Sequence, residues 1–208
     1  MLTQIRPLAT FVLAGLILTT AARASVTESF KQTYPLSADG TIHLENVNGD
    51  IEIVAWDRAE VSLGAEKKGK TNEDLAKVTL EIDSTPAKLR IKTKYAKTGL
   101  FRNVNASVRY KLMVPAGARL EKIDSVNSAI TVTGVRGSVN LDIVNGSITA
   151  TGLAANARLE SVNGSLHAEF ASLAGVTEVK LDSVNGSASV TLPKDAGARI
   201  DADTVNGR

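Results

Sequence analysis

The 208-residue sequence has no cysteine. This excludes a disulfide framework, thiolate metal sites and a thiol nucleophile. Aromatic residues make up only 4%, so the core must rest on aliphatic side chains. The two histidines, His43 and His167, occupy different positions of the chain's internal repeat. No metal cluster and no histidine-based triad arises from them, and strand alternation turns both toward solvent. A surplus of one charge is missing as well. Residues 1–24 hold Arg6 and Arg23 and no acid, so the remainder of the chain carries 24 − 2 = 22 basic against 22 acidic residues. Polyanion binding needs clustered excess cations, so no nucleic-acid partner is expected. No long apolar run occurs after residue 24, and no transmembrane span is expected in the mature chain.

What is abundant is Val, Ile, Thr, Ser and Gly, a balance suited to short strands and tight turns. The first 24 residues read as an export signal. Arg6 supplies the positive start, residues 11–18 the apolar core, and Ala22-Arg23-Ala24 an A-x-A cleavage site. The apolar core is shorter than the roughly 20 residues of a spanning helix, and no lipobox cysteine comes after it. A periplasmic or secreted protein is expected after cleavage near Ala24.

An internal repeat organises the rest. Val-Asn-Gly or Val-Asn-Ser stands at residues 47–49, 126–128, 144–146, 162–164, 184–186 and 205–207. In the second half the spacings are 144 − 126 = 18, 162 − 144 = 18, 184 − 162 = 22 and 205 − 184 = 21. Three residues before each Val stands Leu44, Ile123, Leu141, Leu159, Leu181 or Ala202. Two before stands Glu45, Asp124, Asp142, Glu160, Asp182 or Asp203. Apolar residues also alternate after the turn, as in Ile130/Val132 and Ile148/Ala150. This is the period of strands with one buried face.

Two architectures fit such a unit. Asn-Gly between alternating segments is a hairpin signal and would give an antiparallel meander. A constant rung with the same columns in the same order suits a coil, and the repeated 18 favours it. The expected fold is all-β: a single-stranded β-solenoid whose N-terminal part, residues 25–115, is β-rich but less regular. Strand-like stretches there lie at 41–56, 60–65, 78–82, 89–94 and 106–114. Residues 72–77 read as one helical turn capped by Asn72. Regular coils are expected over 116–208. The sequence stops at Arg208, directly after a turn, so the final rung reads as half-built or the chain as truncated.

The phrase Val108-Arg109-Tyr110-Lys111-Leu112-Met113-Val114-Pro115-Ala116-Gly117-Ala118, succeeded by serial Val-Asn-Gly units, resembles the bacterial "putative adhesin" domain family of unknown function (YvlB-like). The resemblance spans residue 41 to the C-terminus. It implies a β-solenoid, usually right-handed, in exported or membrane-associated envelope proteins, and it brings no catalytic residues.

The turn residues Asn48, Gly49, Asn127, Asn145, Gly146, Asn163, Gly164, Asn185, Gly186, Asn206 and Gly207 read as structural. Asn bonds to nearby backbone at turns, and stacked copies can form an amide ladder. The Asn-x-Ser glycosylation patterns at 105, 145, 163 and 185 read as coincidence, the last three falling out of the repeat itself. The acidic column Asp124, Asp142, Glu160, Asp182 and Asp203 is the best candidate for chemistry, with carboxylates roughly 5 Å apart in a coil. It could hold a cation or supply an acid–base pair to a glycoside. The competing reading is a solvated stripe offset by Arg136, Arg158 and Lys180, and no pair breaks the repeat as an active site usually does. Trp56 and Tyr110 are assigned to the core. Phe101 and Arg102, in the basic loop 94–105, are candidate surface contacts for a membrane or an anionic glycan.

No catalytic residue, cofactor or metal is assigned, and the chain is not expected to be an enzyme. The leading expectation is an exported envelope protein that binds or scaffolds, with an envelope glycan or protein as ligand. Self-association through an open C-terminal rung is a further expectation. The alternatives are a regulatory or stress-responsive envelope component and a polysaccharide-acting β-helix enzyme.

Overall fold

The computed structural model describes residues 25–96, 105–194 and 196, and the backbone of residues 206 and 207. The expected leader and the candidate contacts Phe101 and Arg102 lie outside the described residues.

Among the described residues the protein is all-β but for one helical turn. Its strands are β1 (Val26–Pro35), β2 (Thr41–Glu45), β3 (Ile51–Trp56), β4 (Glu60–Gly69), β5 (Val78–Thr85), β6 (Lys88–Tyr95), β7 (Ala106–Pro115) and β8 (Arg119–Asn127). They continue as β9 (Ile130–Thr133), β10 (Val139–Asn145), β11 (Ile148–Leu153), β12 (Ala157–Asn163), β13 (Leu166–Phe170), β14 (Val179–Gly186), β15 (Ala188–Thr191) and β16 (Asn206–Gly207). Side-chain alternation decides the buried face. In β10, Val139, Leu141 and Ile143 are buried while Asn140, Asp142 and Val144 are exposed. Ala106, Val108, Tyr110, Leu112 and Val114 do the same in β7.

Two mixed sheets result, neither closed. The first runs β1-β4-β7-β3-β9-β11-β13-β15 and the second β16-β14-β12-β10-β8-β2-β6-β5. Their inner faces share one apolar core. The segments on either side of each Asn-Gly turn belong to different sheets, β10 to the second and β11 to the first. The hairpin meander is therefore not what forms. Each strand instead pairs in parallel with its counterpart one repeat on: Val139 with Ala157 and Ala157 with Val179. Pairing this way covers the edge that a lone rung would leave open.

The stack departs from chain order at the N-terminal side. β2 lies between β8 and β6, and β3 between β9 and β7. The Asn-Gly turn at 48–49 thus sits directly against the turn at 127, and Asn48 bridges Asn127. The cause is a chain reversal after β3, where β4 returns antiparallel to β7. β1 then adds antiparallel to β4, and β5 antiparallel to β6. These antiparallel strands and the short helix α1 (Asn72–Ala76) finish this end of the stack. The helix cap is Thr71, not Asn72: its extended backbone stops the turn, and its Oγ1 accepts the Asp74 N–H at 3.2 Å. Leu75 is the buried residue of α1. At the other end burial falls away along β14 and β15, where Val179 and Val190 are exposed although their partners Ala157 and Ala168 are buried.

Candidate interaction surface

Because the rungs are in register, residues of one type on the outer face of the second sheet line up across strands. One column is acidic: Glu45, Asp124, Asp142, Glu160 and Asp182 are successive partners from β2 to β14. Two residues earlier in each strand stand His43, Lys122, Asn140, Arg158 and Lys180. The columns pair with each other. Lys92 reaches Glu45 at 2.6 Å, Lys122 reaches Glu45 at 3.5 Å and Asp124 at 3.2 Å, and Lys180 reaches Asp182 at 2.8 Å. Arg158 pairs with Glu160. Arg136, expected to help offset these acids, lies between β9 and β10 and forms no ion pair among the described residues; Lys122 takes that part.

These pairs tune the charges. The Lys92 hydrogen bond is the main reason the Glu45 carboxyl sits below its ordinary range, and the Lys122 ammonium is held up chiefly by Asp124. Glu121 is pulled down mainly by its hydrogen bond with His43, whose Nε2 lies 3.2 Å from Glu121 Oε2. Asp142 is the exception. Its own strand offers the neutral Asn140 in the cation column, and no ion pair reaches it among the described residues. Desolvation raises its pKa first, and the flanking Glu160 and Asp124 carboxylates raise it further.

Next to the acids runs an apolar stripe. The Val of each of the first five turn motifs points outward, with Val144, Val162 and Val184 exposed by 38%, 42% and 45%, and Val47 and Val126 half-buried. Sequence reasoning passes over this stripe, although counting outward by two from the acid column reaches it. Beyond it the amides form a continuous chain. Nδ2 of Asn127 donates to Oδ1 of Asn48 at 2.9 Å, Asn145 to Asn127 at 3.0 Å, Asn163 to Asn145 at 2.9 Å, and Asn185 to Asn163 at 2.9 Å. The glycines beneath are sterically required. A Cβ on Gly164, where φ is +154°, would lie 1.7 Å from the Gly146 carbonyl oxygen. Asn206 and Gly207 pair by backbone with Asn185 and Gly186; their side chains lie outside the described residues.

The other expected residues are scattered. His167 lies on the outer face of the first sheet, in a row with Thr131 and Thr149, and its Nδ1 is 2.8 Å from Ser189 Oγ. Tyr110 is fully buried, and burial is the main reason its hydroxyl pKa is pushed up to about 12. Trp56 is only half-buried, under the Arg58 guanidinium at 5.0 Å from the ring centroid. Its Nε1 donates to the Glu60 carbonyl at 2.8 Å. A shallow groove of about 200 Å³ opens where the strands of the second sheet begin, lined in part by Glu121, Asn140, Arg158 and Lys180. Among the described residues, no three His, Asp or Glu side chains converge on a metal position, and no helix is long and apolar enough to cross a membrane.

No family model and no curated protein matches the chain. The fold is similar to the crystal structure of a "putative cell adhesion protein" from Clostridium sporogenes. The TM-score is 0.50 at 8% identity, over 80% of this chain and 100% of the other. A "putative adhesin" from Bacteroides fragilis matches with a TM-score of 0.27 at 10% identity, over 79% of this chain and 96% of its own. At such identities the likeness to the first is one of fold alone.

Proposed function

We propose that the chain is a non-catalytic β-solenoid of the bacterial envelope, exported after cleavage near Ala24, which binds or scaffolds through the outer face of its second sheet. The observation that carries this reading is the repeating order of that face, to which Asn140 in the cation column is an exception. Charged, apolar and amide columns repeat from β2 to β14, and no cluster of functional groups interrupts them. A row of like sites suits an extended ligand better than a single reacting centre. The fold shared with a protein named for cell adhesion supports the same reading. Residues 25–115 and 116–208 are then two parts of one solenoid, and copies would self-associate at its C-terminal end.

A pull-down from intact envelopes, with the paired substitution Val144→Asp and Val162→Asp as comparison, tests the proposal. Captured glycan or surface protein that is lost with the pair supports it. Capture unaffected by the pair excludes this face. Recovery of a membrane signalling protein instead would favour a regulatory envelope component.

One observation favours a second reading. Asp142, with its raised pKa, adjoins Glu160 across the strand pairing, and an acid beside a carboxylate is the equipment of glycoside hydrolysis. Turnover of an envelope polysaccharide that disappears in both Asp142→Asn and Glu160→Gln would establish it.

A further inference from the structure

The turn chemistry carries a consequence separate from binding. Asn-Gly is the dipeptide most prone to deamidate, because glycine leaves its own amide nitrogen unhindered. That nitrogen bonds to the Asn Cγ and loses its proton to solvent base, while the side-chain nitrogen departs as ammonia. Water then opens the cyclic imide to aspartate or its β-linked isomer. At 48–49, 145–146 and 163–164 the ladder uses the Asn and the close approach of neighbouring backbone demands the Gly, whereas the turn at 127 carries Ser128 instead.

Both reacting groups are nevertheless held by neighbouring rungs. The Gly146 N–H donates to the Asn163 carbonyl at 2.9 Å, Gly164 to Asn185 at 3.0 Å, and Gly49 to Asn127 at 3.2 Å. The nitrogen that would attack at one rung is thus bonded to the asparagine backbone of the next. The carboxamides of Asn145 and Asn163 are held too, each donating to one neighbour and accepting from the other. Attack requires the Gly N–H to leave its acceptor and the amide to leave the ladder.

We infer that Asn48, Asn145 and Asn163 are latent self-modification sites, kept as amides by stacking and converted only when their rung opens. Conversion is self-recording. At Asn145 and Asn163 the aspartate product has no N–H to donate to the preceding Oδ1, so an opened rung is marked and its ladder cut; Asn48 only accepts, from Asn127, and its conversion marks the rung by charge alone.

The test uses the full chain at mildly alkaline pH, native and in urea, with site-resolved conversion measured by mass spectrometry and the Gly49, Gly146 and Gly164 amides by hydrogen exchange. Native conversion at the three sites is expected to be at least about tenfold slower than in urea, and to track the exchange protection of the glycine next in sequence. Ser128→Gly adds a further Asn-Gly at a rung whose N–H is held by the Asn145 carbonyl at 3.1 Å. It too is expected to convert in urea and resist natively. Native rates within about twofold of those in urea would overturn the inference. So would slow conversion at sites whose glycine amides exchange freely, since the hydrogen-bonded amide would then not be the guard.

Discussion

Asn163 stands in the middle of a hydrogen-bonded chain of amides: it donates to Asn145 and accepts from Asn185, both at 2.9 Å, across 18 and 22 residues of sequence. Replacing it with alanine removes both bonds while leaving the turn backbone free to form. At roughly 0.5–1.5 kcal/mol per net hydrogen bond, Asn163→Ala is expected to cost about 1–3 kcal/mol. Urea unfolding with an unchanged m-value measures this directly. No change in midpoint would mean that solvent replaces the ladder without loss.

The glycine beneath that turn should be far less tolerant. In Gly164→Ala the new Cβ meets a backbone oxygen at 1.7 Å, which no rotamer relieves. A loss above about 3 kcal/mol, or failure to fold, is expected. Gly175 supplies the control. It also has positive φ, at +85°, but nothing lies within 4 Å of its Cβ position, so Gly175→Ala should cost only about 1 kcal/mol. Similar thermal shifts for the two variants would show that backbone conformation, not the close approach of the turns, sets the requirement.

The columns explain what sequence reasoning reaches and what it misses. Val-Asn-Gly with Leu at −3 and an acid at −2 is a one-dimensional pattern, and an in-register parallel stack makes it two-dimensional without new information. The paired columns and the amide ladder are therefore legible. Placement of the rung at 41–56 is not. It is set by the reversal of β4 after β3, and nothing local to Asn48 says that its neighbour will be Asn127. The N-terminal strand β1 escapes detection for a related reason. Only Phe30 and Tyr34 of its side chains pack on the core, so its amphipathic signal is weak. The assignment of Trp56 to the core fails because the indole stays half-exposed at the end of β3, with the Arg58 guanidinium over its ring.

Asp142 gives a prediction with a definite sign. Its folded pKa is raised above the ordinary 3.8, so folding favours its protonated form. The group's favourable contribution is fully present below the unfolded pKa and is lost as pH rises through the folded value. At neutral pH its charge therefore opposes folding, and Asp142→Asn should stabilise the protein. The site is exposed, so the gain is limited to a few tenths of a kcal/mol, about the scale of surface charge effects, and it should fade below pH ~4. Glu45, whose pKa is lowered, should behave oppositely, with Glu45→Gln costing stability at neutral pH and less in acid. Melting curves at several pH values compare the two. Parallel pH profiles for both variants would contradict the column electrostatics.

The core holds two kinds of buried hydroxyl. Thr93 Oγ1 and the Tyr110 hydroxyl are 2.8 Å apart and buried, whereas Ser161 Oγ is buried without a hydrogen-bond partner among the described residues. The equivalent position one rung earlier is Ile143, fully buried, so the column accepts an apolar residue. Thr93→Val would strand the tyrosine hydroxyl in the core and should cost about 1–3 kcal/mol. Ser161→Ala removes an unpartnered group and should be neutral or stabilising by about 1 kcal/mol. The pair of variants separates burial from bonding, since each deletes one buried hydroxyl, bonded in one case and unbonded in the other. A clear loss of stability in Ser161→Ala would mean that its hydroxyl is bonded after all, with an interior water the most direct candidate to seek in a high-resolution crystal structure.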